Sequence, residues 1–176
     1  MKISETELAG AYVIELEAVE DERGYFARTY CRKEFTEYGL KTEIAQCSLS
    51  YNARRGTLRG MHYQVEPEAE TKLVQCMCGS LYDVIIDLRP QSETYCHWFG
   101  IELSADKRRL LYIPEGFAHG FQTLEENTTI YYQIFAFYDP QFARGVRWND
   151  PAFCIKWPLA NPIMSEKDKL LPDYRK

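Results

Sequence analysis

A chain of 176 residues with 45% hydrophobic side chains is long enough to bury one core without cross-links. Its formal net charge of -5 argues against a nucleic-acid binder, and no basic stripe interleaved with aromatics offsets that balance. No apolar run reaches the ~20 residues that cross a bilayer, and Met1-Lys2-Ile3-Ser4-Glu5-Thr6 lacks the apolar core of a signal peptide. A cytoplasmic protein with neither membrane nor nucleic-acid partners is expected. Six cysteines (Cys31, Cys47, Cys76, Cys78, Cys96, Cys154) include no C-x-x-C pair, so buried free thiols are expected rather than disulfides or a metal.

In chain order, residues 11–20 alternate as a half-buried strand does. Asp21-Glu22-Arg23-Gly24 punctuates that run, and strand character resumes over 25–30. Residues 32–38 carry the most helical pattern, short and stopped by Gly39 as a glycine just past a helix end stops it. Strands then follow one another at 44–51, 58–63, 71–78, 79–87, 95–103, 109–113, 118–123, 128–136 and 145–148. The turns between them include Cys78-Gly79-Ser80, Arg89-Pro90-Gln91-Ser92 and Leu124-Glu125-Glu126-Asn127. From residue 151 onward the chain is rich in proline and charge, and reads as an irregular wrap with one short turn near 165–170. Many short strands with regular turns define an all-β chain: a sandwich, barrel or jelly roll in one domain, 1–176.

Two stretches carry chemistry. Gly56-Thr57-Leu58-Arg59-Gly60-Met61-His62-Tyr63-Gln64 sets an arginine and a histidine three apart on a strand. Odd spacing sends them to opposite faces, so both turn inward only if Gly60 bulges. The second stretch is Ile113-Pro114-Glu115-Gly116-Phe117-Ala118-His119-Gly120-Phe121. Its P-x-G-x-x-H spacing is the one by which a cupin jelly roll brings a histidine into its barrel. A cupin metal site also needs an earlier H-x-H and a glutamate, and the only histidines are His62, His97 and His119. A metal-free site is therefore expected, in which inward polar groups move protons themselves. His62, His119, Lys72 and Tyr132 are the candidates, since an imidazole titrates near neutral pH and a phenol can return a proton. Lys72 opens a strand and is either a solvated edge residue or an inward cation. Tyr131 and Tyr132 must face opposite ways, and periodicity does not choose between them.

At this point the residues resemble the nucleotide-sugar 3,5-epimerases, typified by dTDP-4-dehydrorhamnose 3,5-epimerase. The resemblance runs from Asp21-Glu22-Arg23-Gly24-Tyr25-Phe26 through Leu58-Arg59-Gly60-Met61-His62-Tyr63-Gln64, Lys72-Leu73-Val74 and Tyr82-Asp83-Val84-Ile85-Ile86-Asp87. It continues through Tyr112-Ile113-Pro114-Glu115-Gly116-Phe117-Ala118-His119-Gly120-Phe121, Trp148-Asn149-Asp150, Trp157-Pro158 and Ser165-Glu166-Lys167-Asp168. It implies a cupin-like jelly roll forming a homodimer, acting on a nucleoside-diphosphate-linked 4-keto-6-deoxyhexose with no metal or organic cofactor. By resemblance, His62 is the general base and Asp168 its orienting carboxylate. Lys72 is the cation near the ketone oxygen, and Tyr132 is the acid on the opposite face. Arg23 and Arg59 match diphosphate contacts, and Phe26, Gln46, Ser48, His119, Tyr138 and Lys167 match other substrate-contacting positions.

The chain departs from the family pattern at three places. Gln46-Cys47-Ser48 stands where Gln-x-Asn is usual, Arg28 where a glutamate is common, and Ala143 where an acidic residue is common. These bear on the nucleotide and on which carbon inverts, not on the acid–base set. A relative inverting a single centre, or isomerising the ketone, fits the same residues. A sugar-binding module without turnover fits less well, because a binder needs no proton-transfer pair.

Overall fold

The computed structural model describes residues 1–175. The elements in chain order are β1 Lys2–Glu5, β2 Tyr12–Glu15, β3 Ala18–Asp21, β4 Gly24–Ala27, α1 Arg32–Glu37, β5 Gln46–Asn52 and β6 Leu58–Gln64. They continue with β7 Lys72–Cys78, β8 Ser80–Asp87, β9 Trp98–Ser104, β10 Arg109–Ile113, β11 Phe117–Thr123, β12 Thr128–Ile134, β13 Ala143–Gly145 and α2 Glu166–Lys169. Two sheets form the body, ordered β1-β2-β10-β7-β12-β5 and β13-β6-β11-β8-β9, and β3 and β4 make a separate ribbon. All strand pairs in the two sheets are antiparallel.

The expected all-β jelly roll is what forms. Alternation sends one row of each strand between the sheets, where Val74, Cys76, Leu81, Ile85, Leu103, Leu111, Phe121 and Ile130 close the main core. The outer faces are covered too. On the six-stranded sheet, Phe35 of α1 and Leu40 pack on Ile14, Leu73, Leu110 and Tyr112. On the five-stranded sheet, Met61, Val84, Ile86, Ala118 and Val146 lie under Phe153, Ile155, Trp157 and Tyr174 of the C-terminal wrap.

Three sequence expectations shift. Residues 11–20 are not one strand: β2 stays in the six-stranded sheet while β3 leaves it for the ribbon. The period-2 pattern runs unbroken across that departure, so it hides the break. β1 was not expected at all. The cysteines are free, but of the six only Cys76 is buried. Gly39 does end α1, at φ +70°, with its N–H donating to the Thr36 carbonyl at 3.0 Å.

Candidate active site

Between the sheets opens a cavity of about 560 Å³ whose lining includes Arg59, His62, Glu70, Lys72, His119, Tyr132 and Asp168. β6 supplies Arg59 and His62, and Gly60 brings both to this one cavity. Gly60 sits at φ +129°, and the β6–β11 register slips between His119↔His62 and Phe121↔Arg59. One extra residue in β6 is the bulge that odd spacing demanded. A Cβ on Gly60 would lie 2.5 Å from the Gly120 Cα, so the close approach of β6 and β11 also requires glycine.

His62 Nε2 lies 2.8 Å from Asp168 Oδ1. Asp168 sits on the four-residue α2, whose N-cap Ser165 accepts from the Asp168 N–H at 3.1 Å. Burial pushes the Asp168 carboxyl up, but the His62 hydrogen bond and charge, the Gly60 N–H and Ser165 outweigh it and hold the carboxyl below its ordinary range. The His62 side chain is 43% exposed against 7% for Asp168, so the anion is sequestered while the ring faces the cavity.

The opposite wall comes from the six-stranded sheet. Tyr132 on β12 faces the cavity. Tyr131 turns outward beside Leu49 on β5, which resolves the ambiguity between the two. The Tyr132 ring meets His119 edge-on, centroids 6.0 Å apart. Burial chiefly, and the Asp83 charge next, push the Tyr132 phenol up, with Arg59 opposing. Lys72 opens β7, but β7 is flanked by β10 and β12, so the side chain is interior and not a solvated edge residue. Its Nζ is 2.7 Å from Glu70 Oε1, the two side chains being only 10% and 11% exposed.

His119 reaches the barrel as the P-x-G-x-x-H spacing requires, with Gly116 turning the chain at φ +80° ahead of β11. Its Nε2 is 2.6 Å from Asp83 Oδ1, and both side chains are buried. Tyr138 and Lys167 line the cavity. Arg59 Nε donates to Asn52 Oδ1 at 2.8 Å, which aims the guanidinium. Gln46 and Ser48 are on β5, beside β12. Gln46 Oε1 accepts from the Tyr138 N–H at 2.6 Å, and Ser48 is register partner to Tyr132. Arg23 and Phe26 are elsewhere: both are on the β3–β4 ribbon, Arg23 paired with Asp21 and Phe26 76% exposed. Among the described residues no three His, Cys, Asp or Glu side chains cluster as a metal site.

Two acidic residues at the site escaped the sequence reading, Asp83 and Glu70. The signals were there. Asp83 is a carboxylate in the apolar run of β8, and Glu70 is two residues before Lys72, hence on the same face.

The fold is a jelly roll of the cupin-like class, with His62, Asp168, Lys72 and Tyr132 brought to one cavity. The family model described as dTDP-4-dehydrorhamnose 3,5-epimerase matches residues 5–176, and the chain belongs to that family, whose members are isomerases. It is 41% identical over 169 residues to the dTDP-4-dehydrorhamnose 3,5-epimerase of Shigella flexneri, covering 96% of this chain and 93% of that one. A solved structure of the Bacillus anthracis dTDP-4-dehydrorhamnose 3,5-epimerase, with TDP and PPi bound, is 43% identical. It superposes with a TM-score of 0.96 over 98% of this chain and 99% of that one. A 3'-monoepimerase from Streptomyces bikiniensis, solved with dTDP-quinovose, shares 28% identity and a TM-score of 0.89 over 96% and 85%.

Proposed function

We propose that the chain epimerises a dTDP-linked 4-keto-6-deoxyhexose at C3 and C5, in the formation of a rhamnose-type deoxysugar, by proton transfer through an enolate. The observation that carries this reading is the placing of the His62–Asp168 pair and of Tyr132 on facing walls of one cavity. The C4 ketone acidifies the neighbouring C–H bonds. Asp168 keeps a proton on His62 Nε2, which leaves Nδ1 to take the proton from carbon. As the ring becomes cationic, the sequestered carboxylate stabilises it. The electron pair moves onto the C4 oxygen, where the Lys72 ammonium offsets the developing charge. Tyr132 O–H then gives a proton to the carbon from the other wall, and inversion results. Burial and Asp83 keep that phenol protonated at working pH.

Arg23 and Phe26 fit the diphosphate and nucleotide roles only if they serve another molecule's cavity. The exposed apolar side chains Val19 and Phe26 on the ribbon, and Leu49 and Tyr51 on the outer face of edge strand β5, are what a second copy would cover. The reading is therefore a homodimer in which each ribbon completes the partner's site.

Proton NMR in deuterated water with dTDP-4-keto-6-deoxyglucose tests the reaction. Deuterium is expected at both C3 and C5. Label at one carbon alone assigns the chain to the single-centre type, as in the Streptomyces bikiniensis relative. No label removes the dTDP reading, and the CDP- and GDP-linked sugars then separate another nucleotide from a non-catalytic module. His62→Ala should abolish exchange, whereas Tyr132→Phe should retain some exchange while blocking net inversion. Full exchange in His62→Ala would show the base to be elsewhere.

A further inference from the structure

Lys72 does not face the cavity alone. Glu70 precedes β7 and Lys72 opens it, and both line the cavity. Thr71, between them, is itself buried and is not among the residues that line the cavity. The Lys72 ammonium and the Glu70 carboxylate are 2.7 Å apart and about nine-tenths buried. A buried ammonium needs a partner, and a pair held this closely in a half-dry cavity is screened far less than one on the surface.

We propose that Glu70 is a positioning residue of the reaction, acting through Lys72, an inference that rests on the epimerase reading above. An ammonium has three N–H donors on a flexible stem. With one of them held by Glu70, the ammonium is fixed in place, and one of the remaining donors is presented to the ketone oxygen that becomes the enolate. The carboxylate also sets the charge of the wall. The ground-state ketone meets an ion pair that is nearly neutral overall, so Lys72 attracts the substrate's diphosphate only weakly. Its donors strengthen as negative charge grows on oxygen. Stabilisation that appears mainly in the transition state raises kcat rather than binding.

Glu70→Gln tests this, since it keeps the size and an acceptor oxygen but removes the charge. Deuterium incorporation from solvent should fall about tenfold in kcat, with KM changed by less than about twofold. In a Lys72→Ala background the same substitution should cost nothing further, because the residue it positions is gone. A rise in KM at unchanged kcat would show that Glu70 touches substrate itself, and equal losses in both backgrounds would show that it acts independently of Lys72. Unchanged kcat and KM would leave Glu70 no part in the reaction. Any of these overturns the proposal.

A substrate-free signal separates its failure from that of the epimerase reading. The ¹H–¹⁵N resonance of the Lys72 ammonium, assigned by its loss in Lys72→Ala, should be observable in the wild type near neutral pH. In Glu70→Gln it should broaden through exchange with water. A resonance already broadened in the wild type would mean that the pair does not hold in solution. If the ammonium behaves as expected but the wild type incorporates no deuterium into the dTDP-, CDP- or GDP-linked sugar, the epimerase reading falls, and with it the catalytic meaning of the pair.

Discussion

Asp83 bears on the cavity wall without lining it. Its carboxylate holds His119 at 2.6 Å and, from the same buried spot, disfavours the Tyr132 phenolate. The sign follows directly. A negative neighbour raises the phenol, so the acid stays protonated, and removing that charge lowers the value part of the way, burial being the larger cause. Asp83→Asn should therefore bring the basic limb of the kcat–pH profile to lower pH and reduce kcat about tenfold, since His119 also loses its anchor. Deuterium incorporation measured from about pH 6 upward, past the ordinary phenol value near 10 to the alkaline limit of the folded protein, reads both effects; an unmoved basic limb would show that Asp83 does not act on Tyr132. At this scale the sequence showed which residue types were present but not their pairings. His62 and Asp168 are 106 positions apart and His119 and Asp83 are 36 apart. Local spacing carries nothing about such contacts, and only the family resemblance tied Asp168 to His62. Asp83 and Glu70 went unassigned because an acid in a strand, or just ahead of one, looks the same whether its face meets water or a cavity.

One glycine determines what β6 delivers. Strand periodicity forbids Arg59 and His62 from sharing a face, and the bulge at Gly60 permits it. This was legible in advance, from the period of a strand and the identity of the residue that breaks it. Gly60→Ala should cost about 3 kcal/mol or more, from a left-handed φ and from a Cβ that meets the Gly120 backbone at 2.5 Å. Activity should fall further than the population of folded protein does, because a register slip carries His62 off the cavity wall. Urea midpoints and deuterium incorporation on the same preparation distinguish the two losses; a variant of wild-type stability would mean that the bulge relaxes freely. Most strands were foreseeable from alternation and turns, whereas the order β1-β2-β10-β7-β12-β5 was not. Which strand bonds to which is settled by burial of whole faces, a long-range choice that periodicity leaves open. The split of residues 11–20 belongs to the same kind of choice.

At the scale of the molecule, one chain gathers His62, Asp168, Lys72 and Tyr132 on one cavity and carries its Arg23 and Phe26 away from them. The ribbon is braced from its own body, with the Arg108 guanidinium 4.0 Å from the Tyr25 ring centroid and Arg108 Nη1 2.5 Å from Glu20 Oε1. It thus presents Phe26 outward as a set feature rather than as a loose end. If that surface completes the partner's cavity, the two halves of the site can be inactivated on different chains. His62→Ala removes the base from its own cavity, and Arg23→Ala removes a diphosphate contact from the partner's. Each homodimer should be nearly inactive at low substrate concentration. A heterodimer of the two, co-expressed with two tags and purified through both, contains one cavity with its own His62 and the partner's Arg23. It should recover about half the wild-type rate per dimer, since closed twofold symmetry gives two equivalent sites and one of them is whole. Should the ribbon serve its own chain, every cavity in the heterodimer would lack one of the two groups and no activity would return. A monomeric mass by light scattering at assay concentration would remove the dimer itself, and would leave the exposed ribbon to be explained by some other partner.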